Sequence, residues 1–187
     1  FVAKLKGLKK RLVKFTAPGD VRGMSILTTE DGLMYVYMPA YKRVRRVASH
    51  VENQGFMGSD ISPEELASAA WSVNWRGEIK DDKKNKWIIV LKPHRGYETN
   101  YSKQIIHVDK SFGGVIKVKS FNKKGKLVKT QTRSEVKSFG PIKMPTHFVY
   151  KDELTGSKTI LRFHSCKVNQ GIPDKAFSKR ALMRGSR

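Results

Sequence analysis

The sequence has one cysteine, no long apolar run and few acidic residues, and each scarcity excludes a class of protein. With Cys166 as the only cysteine, no intramolecular disulfide can form. No apolar segment approaches the roughly 20 residues that a membrane-spanning helix needs, so we do not expect an integral membrane protein. Only 16 Asp and Glu residues accompany 38 Lys and Arg residues, which gives a formal net charge of +22. Such a charge attracts polyanions, for example nucleic acids, anionic lipid head groups or lipopolysaccharide.

Signatures of catalysis and of metal binding are also missing. The sequence contains no G-x-S-x-G motif, no P-loop and no dinucleotide-binding fingerprint. Its five histidines are scattered, without the spacing of a metal site. His164 and Cys166 form the tightest His-Cys pair, but a nucleophile would need a third, orienting group. Cys166 falls in a strand-like run, 159–168, where a small, inert, partly buried side chain is expected. We therefore expect no enzymatic activity, no catalytic residues, no metal and no cofactor.

The length and composition fit one folded domain. A chain of 187 residues can bury a sizeable core, and 39% hydrophobic with 10% aromatic residues is too much for a disordered chain. We expect a single domain over residues 1–184, with 185–187 as a short tail left from cloning. The chain opens in strand-like sequence (2–15) without an initiator Met or a signal segment, so we expect it to begin inside the domain.

Short strands separated by turns are the main pattern of the sequence. Apolar and polar residues alternate with a period of two, as in half-buried strands, in six segments: 12–15, 24–28, 73–79, 116–120, 142–150 and 159–163. Turn-forming Gly, Pro, Asn and Asp residues lie between them. Consecutive strands joined by such turns predict an antiparallel sheet, because a parallel sheet needs long crossover connections.

Two helices are predicted. Ser62 is a good N-cap, Pro63 suits the first helical position, and Glu65 completes a capping box. A second, shorter helix is predicted after Asp174, ending near Leu182. These helices leave little covering for a sheet with a large apolar face, which would aggregate if it were exposed.

The apolar phase of the strands predicts a hydrophobic trough. We expect a mainly β fold: a single, unclosed, strongly curved antiparallel half-barrel of roughly nine to eleven strands, with the helix from Ser62 across its concave face. Phe56 and Met57 lie in a glycine-containing loop and either contact ligand at the mouth of the trough or pack over the sheet edge. The candidate ligand-binding residues of the trough are Phe15, Met24, Ile26, Phe56, Met57, Trp75, Ile116, Val118, Met144, Phe148, Leu161 and Phe163.

A dense cationic stretch follows Tyr41. Arginine forks match phosphate oxygens, so this stretch is a candidate contact for an anionic surface. The alternative is a solvated strand end, since alternation sends Arg43 and Arg45 to one side and Lys42 and Arg46 to the other. The candidate anionic-surface residues are Lys42, Arg43, Arg45 and Arg46.

Several segments occur together in an order that resembles the LolA-like outer-membrane lipoprotein-sorting protein family. They are P-G-D-V-R-G from Pro18, L-M-Y-V-Y-M-P from Leu33, K-R-V-R-R from Lys42, F-M-G-S-D from Phe56 and I-P-D-K-A-F-S-K-R-A-L from Ile172. The resemblance implies an unclosed antiparallel barrel with helices across its mouth. It also implies a periplasmic protein that carries or senses lipidated cargo, sometimes alongside an inner-membrane exporter. Family members usually carry an amphipathic helix and further strands before this point, so we expect that N-terminal portion to be absent here.

Two functions from different classes remain open. The first is a periplasmic carrier or chaperone that holds the acyl chains of a lipoprotein or lipid and contacts an anionic membrane surface. Each buried methylene contributes about 0.8 kcal/mol, so no catalysis is required. The second is a basic β-barrel module that binds nucleic acid, which needs aromatic and basic residues interleaved on one exposed face. Most aromatics fall on the apolar phase instead, which favours the carrier and argues against specific nucleic-acid binding.

Overall fold

The computed structural model describes residues 1–47, 55–62, 65–66 and 71–184. The chain divides into two compact units, one formed by residues 1–73 and 171–187 and the other by residues 74–170. The interpretation of residues 1–184 as one domain stays a prediction. No helix in the described ranges is long and apolar enough to cross a membrane.

The first unit contains a five-stranded antiparallel meander. Its strands are β1 (Val2–Lys6), β2 (Lys10–Lys14), β3 (Ser25–Thr28), β4 (Met34–Met38) and β5 (Arg43–Arg46), and they pair in sequence order. Short 3-10 turns at Gly19–Val21 and Pro39–Tyr41 join β2 to β3 and β4 to β5. Because each strand is linked to the next by a short connection, only antiparallel neighbours can form.

Both faces of this meander are apolar, because its strands lack a polar phase. Val13 pairs with Ile26, and both belong to a core on one face. Leu12 pairs with Leu27, and both belong to a second core on the other face. A C-terminal segment packs on the second core: it consists of a 3-10 turn, Asp174–Phe177, and the helix Lys179–Met183.

The second unit contains a seven-stranded antiparallel sheet. A short helix, α1 (Trp71–Asn74), leads into it, and Lys179–Met183 is then α2. The strands are β6 (Trp75–Lys83), β7 (Lys86–Pro93), β8 (Tyr101–Asp109), β9 (Gly114–Asn122), β10 (Leu127–Phe139), β11 (Ile142–Asp152) and β12 (Lys158–Arg162). They also pair in sequence order, from β6 at one edge to β12 at the other.

The mainly β, antiparallel and unclosed fold is confirmed, but the prediction of one sheet is wrong. The described residues form twelve strands in two sheets, each with two edge strands that pair on one side only. The break falls between Arg46 and Trp75, where a 3-10 turn (Phe56–Gly58) and helical residues replace the short hairpin connections found elsewhere. A sheet in sequence order continues only where such hairpins continue it.

The predicted capping box at Ser62 is confirmed. The backbone N–H of Ser62 donates to Glu65 Oε2 at 2.8 Å, and the backbone N–H of Glu65 donates to Ser62 Oγ at 3.1 Å. These reciprocal bonds satisfy donors that the first helical turn leaves without a partner. Residues 63–64 and 67–70, on which the predicted placement of this helix across a concave face depends, lie outside the described residues.

The predicted strand over 159–168 is wrong beyond its first half. β12 ends at Arg162, and the last bond to β11 runs from the N–H of Phe163 to the carbonyl of Thr146. The residues from His164 onward are mostly exposed, so their alternation has no buried face to stabilise a strand. Cys166 is partly buried in this irregular segment.

Candidate functional site

One face of the seven-stranded sheet carries every candidate residue that the sequence placed on that sheet. The register shows this directly, since Ile106 pairs with Val118 and Phe148 pairs with Leu161. In antiparallel sheets directly paired residues lie on the same face. We call this surface the apolar face. The candidates on it are Trp75, Ile116, Val118, Met144, Phe148, Leu161 and Phe163.

The apolar face is interrupted along β10. Gln131 pairs with Val118 on one side and with Tyr150 on the other, and Arg133 pairs with Phe148. This polar strand divides the face into an aliphatic part on β6–β9 and an aromatic part on β11 and β12. Six strand spacings of about 4.8 Å separate the two edges of the sheet, so the seven candidates do not form a single contact.

Phe148 is the centre of the aromatic part. Its buried ring meets that of Phe163 edge-on, with centroids 5.3 Å apart and planes at 74°. The guanidinium carbon of Arg133 lies 5.3 Å from the Phe148 ring centroid. Ile116 and Met144, like Phe163 and Arg133, are only partly buried. The Phe148 cluster, as we name it, comprises Ile116, Arg133, Met144, Phe148, Leu161 and Phe163.

The sequence analysis missed Arg133. The strand around it reads K-T-Q-T-R-S-E and has no apolar alternation, so no trough residue was assigned to β10. The available signal was an arginine on the phase that pairs with neighbouring apolar strands. That signal becomes visible only once the register is known.

The first unit brings its own four described candidates together. Met24 and Ile26 belong to a buried core, and Phe15 and Phe56 pack against it. The rings of Phe15 and Phe56 stack with centroids 5.2 Å apart and planes at 27°. This packing supports the interpretation of the Phe56 loop as a cover for the sheet. A ligand contact by these residues stays a prediction, and that at Met57 lies outside the described side chains.

The loop after Gly55 is held by its own backbone. Phe56 exchanges a hydrogen bond with Ile61, N to O at 2.8 Å, and Ser59 Oγ donates to the Phe56 carbonyl at 2.6 Å. A Cβ on Gly55 would lie 2.2 Å from the Ser59 carbonyl oxygen, so no other residue fits there without a shift. The glycine and serine of this motif therefore have a geometric role.

The cationic stretch forms an edge strand whose charges point both ways. Arg45 pairs with Val36 on one face of the first sheet, and Arg46 pairs with Tyr35 on the other. The alternation predicted from sequence is thus confirmed. Exposed cations on an edge strand also discourage edge-to-edge pairing with another chain. The exposed cations are Lys42, Arg43, Arg45 and Arg46.

The face of the second sheet opposite the apolar face is basic. His107 pairs with Lys117 on this face, and burial together with Lys86, Lys117 and Lys119 holds the pKa of His107 below its usual value. Protonating His107 would add a further positive charge to an already cationic surface. One aromatic residue, Phe121, also lies here, with the ammonium of Lys103 4.8 Å from its ring centroid.

A serine, a histidine and a glutamate meet near the bulge of β10, but not as a catalytic triad. Ser134 Oγ lies 3.2 Å from His147 Nδ1, and Glu135 Oε1 lies 3.7 Å from the same nitrogen. A triad needs the nucleophile and the acid on opposite ring nitrogens. Glu135 instead pairs with Arg162 at 3.0 Å. Among the described residues, no group of three His, Cys, Asp or Glu side chains is placed to hold a metal ion.

Comparison with known proteins gives one family match and several structural neighbours. A protein-family model described as "Uncharacterized protein" matches residues 7–184, nearly the whole chain. No curated protein matches the chain. The structural neighbours therefore provide the more informative comparison.

Two solved structures are 26% identical to the chain. A domain from Vibrio parahaemolyticus described as an outer-membrane lipoprotein-sorting protein has a TM-score of 0.86, over 97% of this chain and 81% of that one. A DUF1329 family protein from Desulfovibrio piger has a TM-score of 0.85, over 92% and 76%. A LolA superfamily protein from Nitrosomonas europaea, 20% identical, shares the fold with a TM-score of 0.77, over 94% and 79%. The family model and these neighbours together show that the chain belongs to the LolA-like family of outer-membrane lipoprotein-sorting proteins.

Proposed function

We propose that this protein is a periplasmic carrier or chaperone that holds the acyl chains of a lipoprotein or lipid. The observation that carries the proposal is the division of the seven-stranded sheet into an apolar face and a basic face. An acyl chain placed against aliphatic and aromatic side chains gains about 0.8 kcal/mol per methylene removed from water. Such binding is directed by area and shape, so it suits the varied cargo of a sorting or transport pathway.

The names of the structural neighbours support the same class of function. Lipoprotein sorting is the activity given to the Vibrio parahaemolyticus domain, which shares most of this chain's length. The proposed partners are a lipidated protein or lipid acyl chains, an anionic membrane surface and an inner-membrane exporter. The proposal assigns the chain no enzymatic step, because carriage requires only reversible binding.

Native mass spectrometry tests the proposal most directly. Protein purified from a Gram-negative host under mild conditions should retain a bound lipid, visible as a mass above that of the 21.3 kDa chain. Denaturing the same sample should release that mass. A chain that carries no adduct and takes up none when incubated with lipid vesicles or purified lipoprotein contradicts the proposal.

The cationic edge strand leads to a prediction about membranes. Binding to phosphatidylglycerol vesicles should fall steeply as salt rises, because exposed charges are screened within about 10 Å at 0.1 M salt. Each cation near such a surface contributes about 1 kcal/mol, so replacing Arg45 and Arg46 with Ser should weaken binding by about thirtyfold. Vesicle sedimentation at two salt concentrations measures both effects.

A matched control removes two charges elsewhere. Lys123 and Lys124 are exposed in the hairpin between β9 and β10, and replacing both with Ser lowers the net charge equally. Equal losses in the two double variants would show that overall charge, and not this strand, drives docking. Salt-sensitive binding to oligonucleotides would not favour the nucleic-acid alternative, since phosphate contacts carry no sequence information; only a preference among base sequences would.

A further inference from the structure

A single arginine lies where the two apolar parts of the second sheet meet. β10 crosses the sheet between β9 and β11, and Arg133 is directly paired with Phe148 across the β10–β11 ladder. Its side chain is partly buried, whereas the exposed arginine of β12, Arg162, pairs with His147 and so lies on the basic face. Arg133 thus places a permanent positive charge on the apolar face.

The contacts of Arg133 keep its guanidinium in one orientation. Its Nε donates to Gln131 Oε1 at 3.0 Å, and one terminal nitrogen, Nη2, donates to the same oxygen at 2.8 Å. Gln131 is itself buried, and the Phe148 ring lies against the guanidinium. Both partners are neutral, so they orient the charge without cancelling it.

The orientation favours a particular kind of ligand. The bonds to Gln131 use the edge formed by Nε and Nη2, and a guanidinium has a second edge, formed by its two terminal nitrogens. That edge matches two oxygens of a carboxylate or a phosphate. Ile116, Met144 and Phe163 offer partly exposed apolar surface on the same face.

We propose that Arg133 anchors the anionic group of an acyl-chain ligand whose hydrocarbon part lies against the Phe148 cluster. The ligand class is an amphiphile with a carboxylate or phosphate next to its acyl chain, such as a fatty acid or an anionic lysophospholipid. A neutral acylglycerol would gain only the apolar contacts. This inference rests on the proposed function, since it assumes that the apolar face holds acyl chains.

The experiment compares three ligands that share one myristoyl chain. Myristate carries a carboxylate, myristoyl lysophosphatidylglycerol carries a phosphate, and monomyristoylglycerol is neutral. Each competes with a neutral naphthylamine dye for the full chain, and the competition gives three apparent dissociation constants. One or both anionic ligands should bind about tenfold more tightly than the neutral one, as expected for hydrogen bonds to a charged group. A preference for only one of them identifies whether the anion is a carboxylate or a phosphate.

Three variants assign the preference to Arg133. Arg133→Gln should remove the preference and leave binding of monomyristoylglycerol within about twofold of the wild type. Arg133→Lys keeps the charge but not the fork, so part of the preference should remain. Arg162→Gln, which removes an arginine from the opposite face of the same sheet, should leave all three constants unchanged. Circular dichroism confirms that each variant is folded.

The outcomes separate this inference from the function on which it rests. A loss of preference in Arg133→Gln, with binding of the neutral ligand retained, supports the anchor. Equal ligand ratios in the wild type, Arg133→Gln and Arg133→Lys overturn the anchor and leave the carrier function standing. If the wild type displaces the dye with none of the three ligands, the carrier function fails and the anchor fails with it.

Discussion

Replacing Ile116 with aspartate should weaken the binding of a neutral acyl-chain probe by about a hundredfold. Ile116 is partly buried on the apolar face, one position from the bulge where β9 meets β8. The substitution removes a side chain whose full burial contributes about 1.5–3 kcal/mol, and it places a carboxylate against the ligand's hydrocarbon. Because the site is not fully buried, the fold should tolerate the new charge. Fluorescence titration with a neutral dye or a monoacylglycerol measures the effect.

The same substitution on the opposite face is the control. Ile160 lies on β12, pairs with Val149 on the basic face and is 61% exposed. Ile160→Asp adds the same charge to the same sheet, so it should leave probe affinity within about twofold and the circular dichroism unchanged. Equal affinities in Ile116→Asp, Ile160→Asp and the wild type would show that acyl chains bind elsewhere. Equal losses would indicate a general effect of charge.

The phase of the apolar residues was the part of this structure that the sequence predicted best. Strand side chains alternate strictly, so a residue such as Val118 between two lysines shows its face without any knowledge of its neighbours. The seven candidates of the second sheet share one face for this reason. The capping box at Ser62 was equally readable, because both of its partners lie within one helical turn.

The division into two sheets could not be predicted in the same way. Alternation shows which way a residue points but not which strand its own strand pairs with. The connection between β5 and β6 is long, and its sequence contains turn and helix signals that are compatible with either one sheet or two. Pairing across it depends on non-local contacts, which the local pattern of Arg43 or Trp75 does not report.

The environment of individual candidates was also beyond the sequence. Met24 and Phe148 have the same apolar character and phase, yet Met24 belongs to a closed core while Phe148 contacts a guanidinium. That difference is set by the residues on neighbouring strands and by what covers each face. Arg133 was missed for the same reason, because its significance depends on its pairing with Phe148.

Truncating Leu182 to alanine should lower the free energy of unfolding of the first unit by about 3 kcal/mol, as for other fully buried leucines. Leu182 is 1% exposed and packs in a core with Leu12, Leu27 and Phe177. The substitution removes these contacts and leaves a cavity beneath α2. The hydrogen bond from Ser25 Oγ to the Leu182 carbonyl involves the backbone and is retained, so the helix keeps its position while its packing is lost.

The neighbouring residue supplies the control for this prediction. Met183 belongs to the same helix but is 51% exposed, so Met183→Ala should change the free energy of unfolding by less than about 0.5 kcal/mol. Urea unfolding followed by circular dichroism and by tryptophan fluorescence measures both variants, and the two probes together show whether the two compact units unfold in one step. If Leu182→Ala and Met183→Ala have equally small effects, the C-terminal helix does not stabilise the first sheet. A large effect of Leu182 alone would show that the C-terminal helix is an integral part of the core of the first unit.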